Sequence, residues 1–149
     1  MPVPPFRYDG WLPEGHHKLT WEEIDVVFGG EQGSVRRSVY SNLLEWRNSI
    51  RAKKLGGYLI LNGSFISNKK EPGDFDLIYV GDEEIERKLA TDNEAALLVN
   101  YVYCKEQGWG DIFYFSEAAI RKFPGMCRTD GFDFDKVTKV SKGVAEVVI

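Results

Sequence analysis

The sequence predicts an α+β (α/β-like) fold in which helices pack against a small mixed β-sheet. Three observations predict it: two stretches with helical apolar spacing come first, short apolar runs of strand length follow, and further helical stretches separate those runs. The 149 residues are the length of one ordinary domain. We therefore expect residues 1–149 to form a single domain.

Composition and charge exclude several classes of protein. Apolar residues make up 43% of the chain and charged residues 28%, which argues against disorder. The net charge of −4 argues against a nonspecific nucleic-acid coat. No apolar run approaches the ~20 residues of a membrane span, and the N-terminus lacks the features of a secretory signal. We expect a cytoplasmic protein without membrane contact.

The first elements are an extended arm and two helices. Prolines near the start predict that residues 1–19 form the arm, since proline lacks a backbone donor. Thr20 and Glu23 have capping-box spacing, so a helix begins after Thr20, and glycines 29 and 30 end it. Ser34 can cap a longer helix with the apolar stripe Val35, Val39, Leu43, Leu44, Trp46 and Ile50.

Four strands are predicted after the second helix. Residues 58–61 are a nearly continuous apolar run, typical of a strand covered on both faces. Residues 75–80, 111–115 and 143–149 predict the other three strands. Three helices are predicted between them. The acidic stretch 82–86 opens a short one, a second covers 95–103 behind a Thr91–Glu94 capping box and ends at Gly108, and a third runs from Ser116 through Phe123 and is ended by Pro124 and Gly125.

Three aspartates accompany the predicted strands. Asp74 and Asp76 are two residues apart and share one strand face, where their like charges repel unless a cation compensates them. Asp111 begins another strand and can lie beside them if the strands are neighbours. Such hard oxygen ligands suit Mg²⁺, and three acids can hold two ions about 3.5–4 Å apart, as in nucleotidyl transfer. We predict a site for two Mg²⁺ ions, with Mn²⁺ as a substitute.

A glycine-serine pair precedes these acids. Gly63 follows an apolar strand and lets the backbone approach a phosphate, while Ser64 adds a hydroxyl donor. The nine residues 65–73 can return the chain to an adjacent strand. Lys69 and Lys70 lie in this loop and are predicted nucleotide-binding residues, although a solvated loop tip is the alternative.

The motif resembles that of a known superfamily. LNGS at 61–64, nine residues, and DFDL at 74–77 together resemble the hG(G/S)-x(n)-DhDh signature of the DNA polymerase β-like nucleotidyltransferases. GDI at 110–112 is similar to the strand with the third acid, although the family usually has an apolar residue at position 110. The resemblance is confined to residues 58–115.

The resemblance implies a fold and a role for each matched residue. It implies the nucleotidyltransferase fold, with Gly63 and Ser64 contacting the triphosphate. It implies that Asp74 and Asp76 hold metal and that Asp111 is a metal ligand and activates the attacking hydroxyl. By size the chain is most similar to the minimal nucleotidyltransferases, which are often encoded beside a HEPN partner in toxin–antitoxin pairs. The partners it implies are a HEPN-like toxin, an RNA acceptor or a second copy of the chain.

Structural interpretations stand beside the functional ones. Asp74 and Asp76 can be turn and strand-edge residues, and Asp111 can be a solvated strand end. Cys104 and Cys127 are expected to be buried reduced thiols, with a disulfide between them as the alternative. Structural roles are also expected for three other groups of residues: histidines 16 and 17, arginines 36, 37, 47 and 51 on the solvent-exposed face of a helix, and tryptophans 11, 21, 46 and 109 as core or interface anchors.

Three functions follow from these residues. The leading hypothesis is a metal-dependent nucleotidyltransferase that moves a nucleoside monophosphate from a nucleoside triphosphate to a hydroxyl of a protein or nucleic acid. The alternative is a catalytically weak or inactive antitoxin or regulator that acts by protein binding. A third is a sensor that binds the triphosphate without turnover.

Overall fold

A mixed β-sheet of five strands organises the structure, a computed structural model that describes residues 3–122 and 142–149. The strands are β1 (His16–Lys18), β2 (Tyr58–Asn62), β3 (Asp76–Gly81), β4 (Asp111–Ser116) and β5 (Val144–Val148). Their order across the sheet is β1-β5-β2-β3-β4. Strand β2 is antiparallel to both of its neighbours, whereas the β1–β5 and β3–β4 pairs are parallel.

Six helices accompany this sheet in the described residues. They are α1 (Trp21–Phe28), α2 (Val35–Ala52), α3 (Glu83–Thr91), α4 (Asn93–Leu97), α5 (Tyr101–Glu106) and α6 (Glu117–Lys122). The predicted α+β class with a small mixed sheet is therefore confirmed. Within the described ranges, no helix is both long enough and apolar enough to cross a membrane.

The two faces of the sheet pack differently. On one face, buried side chains of α1 to α5 share the main core with the sheet, around Trp46 and Tyr79, both fully buried. The opposite face carries a smaller cluster of Ile60, Ile78, Val80 and Val144, against which Ile120 of α6 packs. Since residues two apart on a strand share a face, Asp76 lies on the face of Ile78, opposite the main core.

The capping signals at the first two helices are confirmed. The Glu23 amide donates to Thr20 Oγ1 at 3.1 Å, and the Thr20 amide donates to a Glu23 carboxylate oxygen at 3.0 Å. These two bonds are the reciprocal pair of a capping box. Ser34 caps α2, because its hydroxyl accepts from the Arg37 amide at 3.0 Å.

The predicted third helix is corrected in two ways. Asp92, not Thr91, is the cap, since Asp92 Oδ1 accepts from the amides of Glu94 and Ala95 at 3.0 and 3.1 Å. Thr91 is instead the last residue of α3, which is longer than the short helix predicted from its acidic start. The expected single helix is also interrupted, because the Asn100 side chain caps a new helix, α5.

The predicted strands are confirmed within one or two residues at each end, and one further strand exists. Strand β1 lies inside the stretch 1–19 predicted as an extended arm, where it pairs with β5. Ser116 caps α6, since its hydroxyl accepts from the Ala119 amide at 3.0 Å. Cys127 and the predicted end of that helix at residues 123–125 lie outside the described residues.

Candidate active site

Strand register places the three aspartates together. In the parallel pair of β3 and β4, Asp76 lies directly opposite Asp111. Asp74 comes two residues before Asp76. One carboxylate oxygen from each of the three lies within 4.8 Å of the others, and all three side chains are partly buried. The convergence expected from the strand positions is therefore present.

The glycine-serine turn lies against this cluster. Gly63 has φ 77° and ψ −170°, a backbone conformation that side chains disfavour. A Cβ placed on Gly63 would collide with the Asp76 carboxylate. Ser64 then begins a 3₁₀ turn, Ser64–Ile66. Glycine is thus needed at position 63 both for the turn and for its close approach to the acid.

The backbone at Gly110 leaves no room for a side chain. A Cβ at Gly110 would lie 2.7 Å from the Phe75 carbonyl oxygen and 3.0 Å from its ring. The next residue, Asp111, donates its amide to that same carbonyl at 2.9 Å. The chain therefore enters β4 pressed against the residue between Asp74 and Asp76, and an apolar side chain would not fit there.

The pKa values of the Asp76 and Asp111 carboxyl groups are shifted in opposite directions. Burial raises the pKa of Asp76 to about 7, and the hydrogen bond with Asp111 and the charges of Asp111 and Asp74 add to the effect. Burial also opposes ionisation of Asp111, but hydrogen bonds with Asp76, Lys105 and Tyr101 outweigh it and lower its pKa. In the absence of a cation, ionisation is therefore disfavoured at Asp76 and favoured at Asp111.

Two residues of α5 contact the acids and were not predicted. Lys105 Nζ lies 2.8 Å from Asp111 Oδ1 and 3.3 Å from Asp74 Oδ2. The Tyr101 hydroxyl donates to Asp111 Oδ1 at 2.9 Å. The hydrogen bond with Asp111 raises the pKa of each of these two side chains. Their spacing of four residues on a helix just before the third acid was the one signal that could have identified them.

Arg36 holds the loop that follows the glycine-serine turn. This residue is only 9% exposed, so its expected place on the wet face of α2 is wrong. Its guanidinium donates to the carbonyl oxygens of Phe65 at 2.6 Å and Ser67 at 3.1 Å, and to that of Lys69. In addition, Ser67 Oγ donates to the Ser64 carbonyl at 2.6 Å. A buried charge thereby braces residues 64–69.

The other arginines on α2 have separate structural roles. Arg37 donates to Asp25 Oδ1 at 2.8 Å and to the Gly30 carbonyl, and the Arg47 guanidinium lies 4.6 Å from the centre of the Trp21 ring. Arg51 is exposed. For Arg37 and Arg47, these contacts join α2 to α1 and its flanking turn.

Lysines near the site differ in their surroundings. Lys69 and Lys70 are exposed, and only the backbone of Lys69 is held, by Arg36 and Ser67. Their contact with a nucleotide stays a prediction. Lys142 is only 9% exposed, its Nζ lies 4.3 Å from the centre of the Trp11 ring, and its charge lowers the pKa of Asp76. Lys142 is therefore a further cation of this region, which the sequence patterns did not indicate.

The adjacent histidines do not form a pair of metal ligands. His16 Nδ1 lies 3.5 Å from a Glu146 carboxylate oxygen, whereas His17 Nε2 lies 2.7 Å from the Pro13 carbonyl oxygen. The structural interpretation of both residues is consistent with these separate contacts. Trp46 and Trp109 are buried in the main core, as expected for anchors. Cys104 is likewise buried, and burial raises the pKa of its thiol to about 11.

The residues at the cluster fit a divalent cation. Carboxylate oxygens are the hard ligands that Mg²⁺ and Mn²⁺ accept. Asn62, the partner of Asp76 across the β2–β3 pair, is 4% exposed, and its Oδ1 atom has no hydrogen-bond partner among the described residues. This buried oxygen beside the three acids can therefore bind a cation directly or accept a hydrogen bond from a water on the cation.

Comparisons with known proteins identify a family but not an activity. No curated protein and no solved structure matches the chain. A family of unknown function, DUF6932, matches residues 4–148, which include every element described above. The chain belongs to this family of unknown function.

Proposed function

We propose that the protein is a metal-dependent nucleotidyltransferase that transfers a nucleoside monophosphate from a nucleoside triphosphate to an acceptor hydroxyl. The observation that carries the proposal is the convergence of Asp74, Asp76 and Asp111 beside the Gly63 turn. Asp111 comes from a part of the chain distant from the other two acids, and strand register aligns it with Asp76. Acids clustered beside a glycine turn are suited to metal-dependent transfer of a phosphate-containing group.

The proposed reaction assigns a task to each acid. Asp74, Asp76 and Asp111 would hold the metal, which neutralises charge on the attacking and leaving oxygens when bound. Asp111, whose lowered pKa keeps it ionised, would accept the proton of the acceptor hydroxyl. The hydroxyl oxygen forms a bond to the α-phosphorus. The bond from that phosphorus to the β-phosphate oxygen breaks, and pyrophosphate leaves.

The chain also supplies groups for the triphosphate. The turn at Gly63 brings backbone close to the acids, and the Ser64 hydroxyl follows directly. Arg36 holds the carbonyl oxygens of the next residues and so keeps the turn in one conformation. Lys69 and Lys70 are exposed cations that can meet phosphate charge. A cytoplasmic location, with a HEPN-like toxin, an RNA or a second copy of the chain as partner, belongs to the same proposal.

The direct test is label transfer from each of the four α-³²P nucleoside triphosphates in the presence of Mg²⁺. Acceptors are total RNA, the protein itself and the product of the neighbouring gene. We expect labelled product and pyrophosphate from the wild type but from neither Asp76→Asn nor Asp111→Asn. Asp25→Asn is the matched control, since Asp25 pairs with Arg37 outside the cluster. Equal labelling by the wild type and Asp76→Asn would disprove the enzymatic proposal.

The Lys105 ion pairs favour a second candidate, a catalytically weak or inactive regulator that acts by protein binding. An ammonium group on Asp74 and Asp111 already neutralises part of the cluster without metal. A pull-down of the neighbouring gene product separates the two candidates. Neutralisation of that product by an Asp74→Asn/Asp76→Asn variant as effectively as by the wild type would favour the regulator.

A further inference from the structure

We propose that Lys105 is the resident counter-ion of the carboxylate cluster and that a divalent cation binds there only by displacing its ammonium group. This inference rests on the proposed function, because it concerns the same three aspartates. It adds a residue that sets how tightly the site accepts a free metal ion.

The contacts of Lys105 overlap with those a metal would make. Its Nζ lies 2.8 Å from Asp111 Oδ1 and 3.3 Å from Asp74 Oδ2, so it is paired with two of the three acids at once. All three acids offer oxygens within 4.8 Å of one another. A divalent ion among those oxygens and an ammonium group on two of the same carboxylates are two cations a few ångströms apart. They repel each other, and they compete for the same lone pairs.

The side chain of Lys105 can leave the cluster at little cost. It is 42% exposed and projects from the short helix α5. A half-exposed lysine exchanges its ion pair for water with a small change in free energy. Tyr101 stays bonded to Asp111 through a neutral hydroxyl, so the acid keeps its orientation when the ammonium group leaves. Displacement therefore needs a rotation of one side chain and no change of fold.

The chain offers a matched control for the loss of such a lysine. Lys53 also bridges two carboxylates, with Nζ 3.2 Å from Asp92 and 3.7 Å from Glu94. Its carboxylates cap and follow the start of α4, outside the cluster of three acids. Lys53→Met therefore removes the same kind of double ion pair without touching the candidate metal site.

The experiment measures binding of Mn²⁺ alone by titration calorimetry at constant pH. We expect Lys105→Met to bind Mn²⁺ about tenfold more tightly than the wild type, a gain that corresponds to removal of two weak competing ion pairs. Lys105→Arg keeps the charge and Lys53→Met keeps Lys105, so both should bind like the wild type. Lys105→Gln is a second neutral variant, expected to match Lys105→Met.

Thermal melting gives an independent readout of the same competition. In chelator, Lys105→Met should melt below the wild type, because Asp74 and Asp111 are then left without their ammonium partner. Mn²⁺ should raise the melting temperature of Lys105→Met more than that of the wild type. These shifts need no substrate and no catalytic turnover.

The outcomes separate this inference from the proposed function. Tighter Mn²⁺ binding by Lys105→Met supports the inference even if no label transfer is ever observed. Equal or weaker binding by both neutral variants overturns it, even if the wild type is an active transferase. Absence of Mn²⁺ binding in the wild type and in both neutral variants overturns the inference together with the metal part of the proposed function.

Discussion

At the scale of single residues, Gly63 joins backbone conformation to the chemistry of the site. Its positive φ and the contact that a Cβ would make with the Asp76 carboxylate both require glycine. Gly33 also has a positive φ, 84°, but nothing lies within 4 Å of the place of its Cβ. The pair therefore separates the strain of the backbone from the collision with the acid.

We expect Gly63→Ala to lower both stability and metal affinity. Urea denaturation should show a loss above the ~1–3 kcal/mol that backbone strain alone costs, and Mn²⁺ calorimetry should show weaker binding because the Asp76 carboxylate must move. Gly33→Ala should show the strain cost alone and unchanged Mn²⁺ affinity. Equal losses of stability in the two variants would show that the Asp76 carboxylate moves away from the new Cβ at no cost in stability, which would contradict the prediction.

Asp76 makes the stability of the metal-free protein depend on pH. Its pKa rises from an ordinary 3.8 to about 7 on folding, so the folded chain binds the extra proton between these values. The contribution of Asp76 to the free energy of unfolding therefore falls as pH rises through that window. Burial of the ionised carboxylate is the physical cause.

We expect the advantage of Asp76→Asn to grow with pH. In chelator, its melting temperature should exceed that of the wild type by more at pH 8 than at pH 5, because asparagine carries no charge to bury. The comparison of two proteins at each pH cancels the titration of groups that do not interact with Asp76. Mg²⁺ should narrow the gap at pH 8 by stabilising the wild type alone. A gap independent of pH would contradict the raised pKa of Asp76.

At the scale of elements, one arginine of α2 braces the loop that carries half of the site. The Arg36 guanidinium donates to the carbonyl oxygens of Phe65, Ser67 and Lys69. Arg51, on the same helix, is exposed. The two positions therefore differ in burial and in hydrogen bonds while sharing residue type and helix.

We expect Arg36→Met to destabilise the protein by about 3 kcal/mol, because several buried carbonyl oxygens lose their donor at once. Arg51→Met should change the free energy of unfolding by less than about 0.5 kcal/mol. Denaturation in urea measures both values. Native-state hydrogen exchange should also show faster exchange at residues 64–69 in Arg36→Met. If Arg36→Met lowered the free energy of unfolding as little as Arg51→Met, water would have to replace the guanidinium as the donor to these carbonyl oxygens, and the prediction would be wrong.

At the scale of the whole molecule, the sheet order assembles the site from segments far apart in the chain. Strand β2 lies between β5 and β3, and β4 forms one edge beside β3. The Gly63 turn follows β2, while Asp76 and Asp111 begin β3 and β4 in register. Lys142 precedes β5, on the other side of β2. The site thus collects where one strand ends and its neighbours begin.

The sequence alone determined the α+β class, the strands that carry the acids and the caps at Thr20 and Ser34. These features depend on apolar period and on bonds between residues close in the chain. The aspartates could be predicted because like charges at strand positions need a compensating cation. The prediction of a helix cap from local spacing was wrong at Thr91. Asp92 lies one residue closer to the next helix and binds the amides that Thr91 was expected to cap.

Only the tertiary structure decided which other residues surround the acids. Strand β1 exists because β5, over a hundred residues away, supplies its hydrogen-bonding partner. Arg36 and Lys105 have ordinary helical surroundings in sequence, and their contacts depend on how α2 and α5 pack against distant loops. Contacts between residues distant in the chain depend on burial and on strand register, and neither can be deduced from a local pattern of residues.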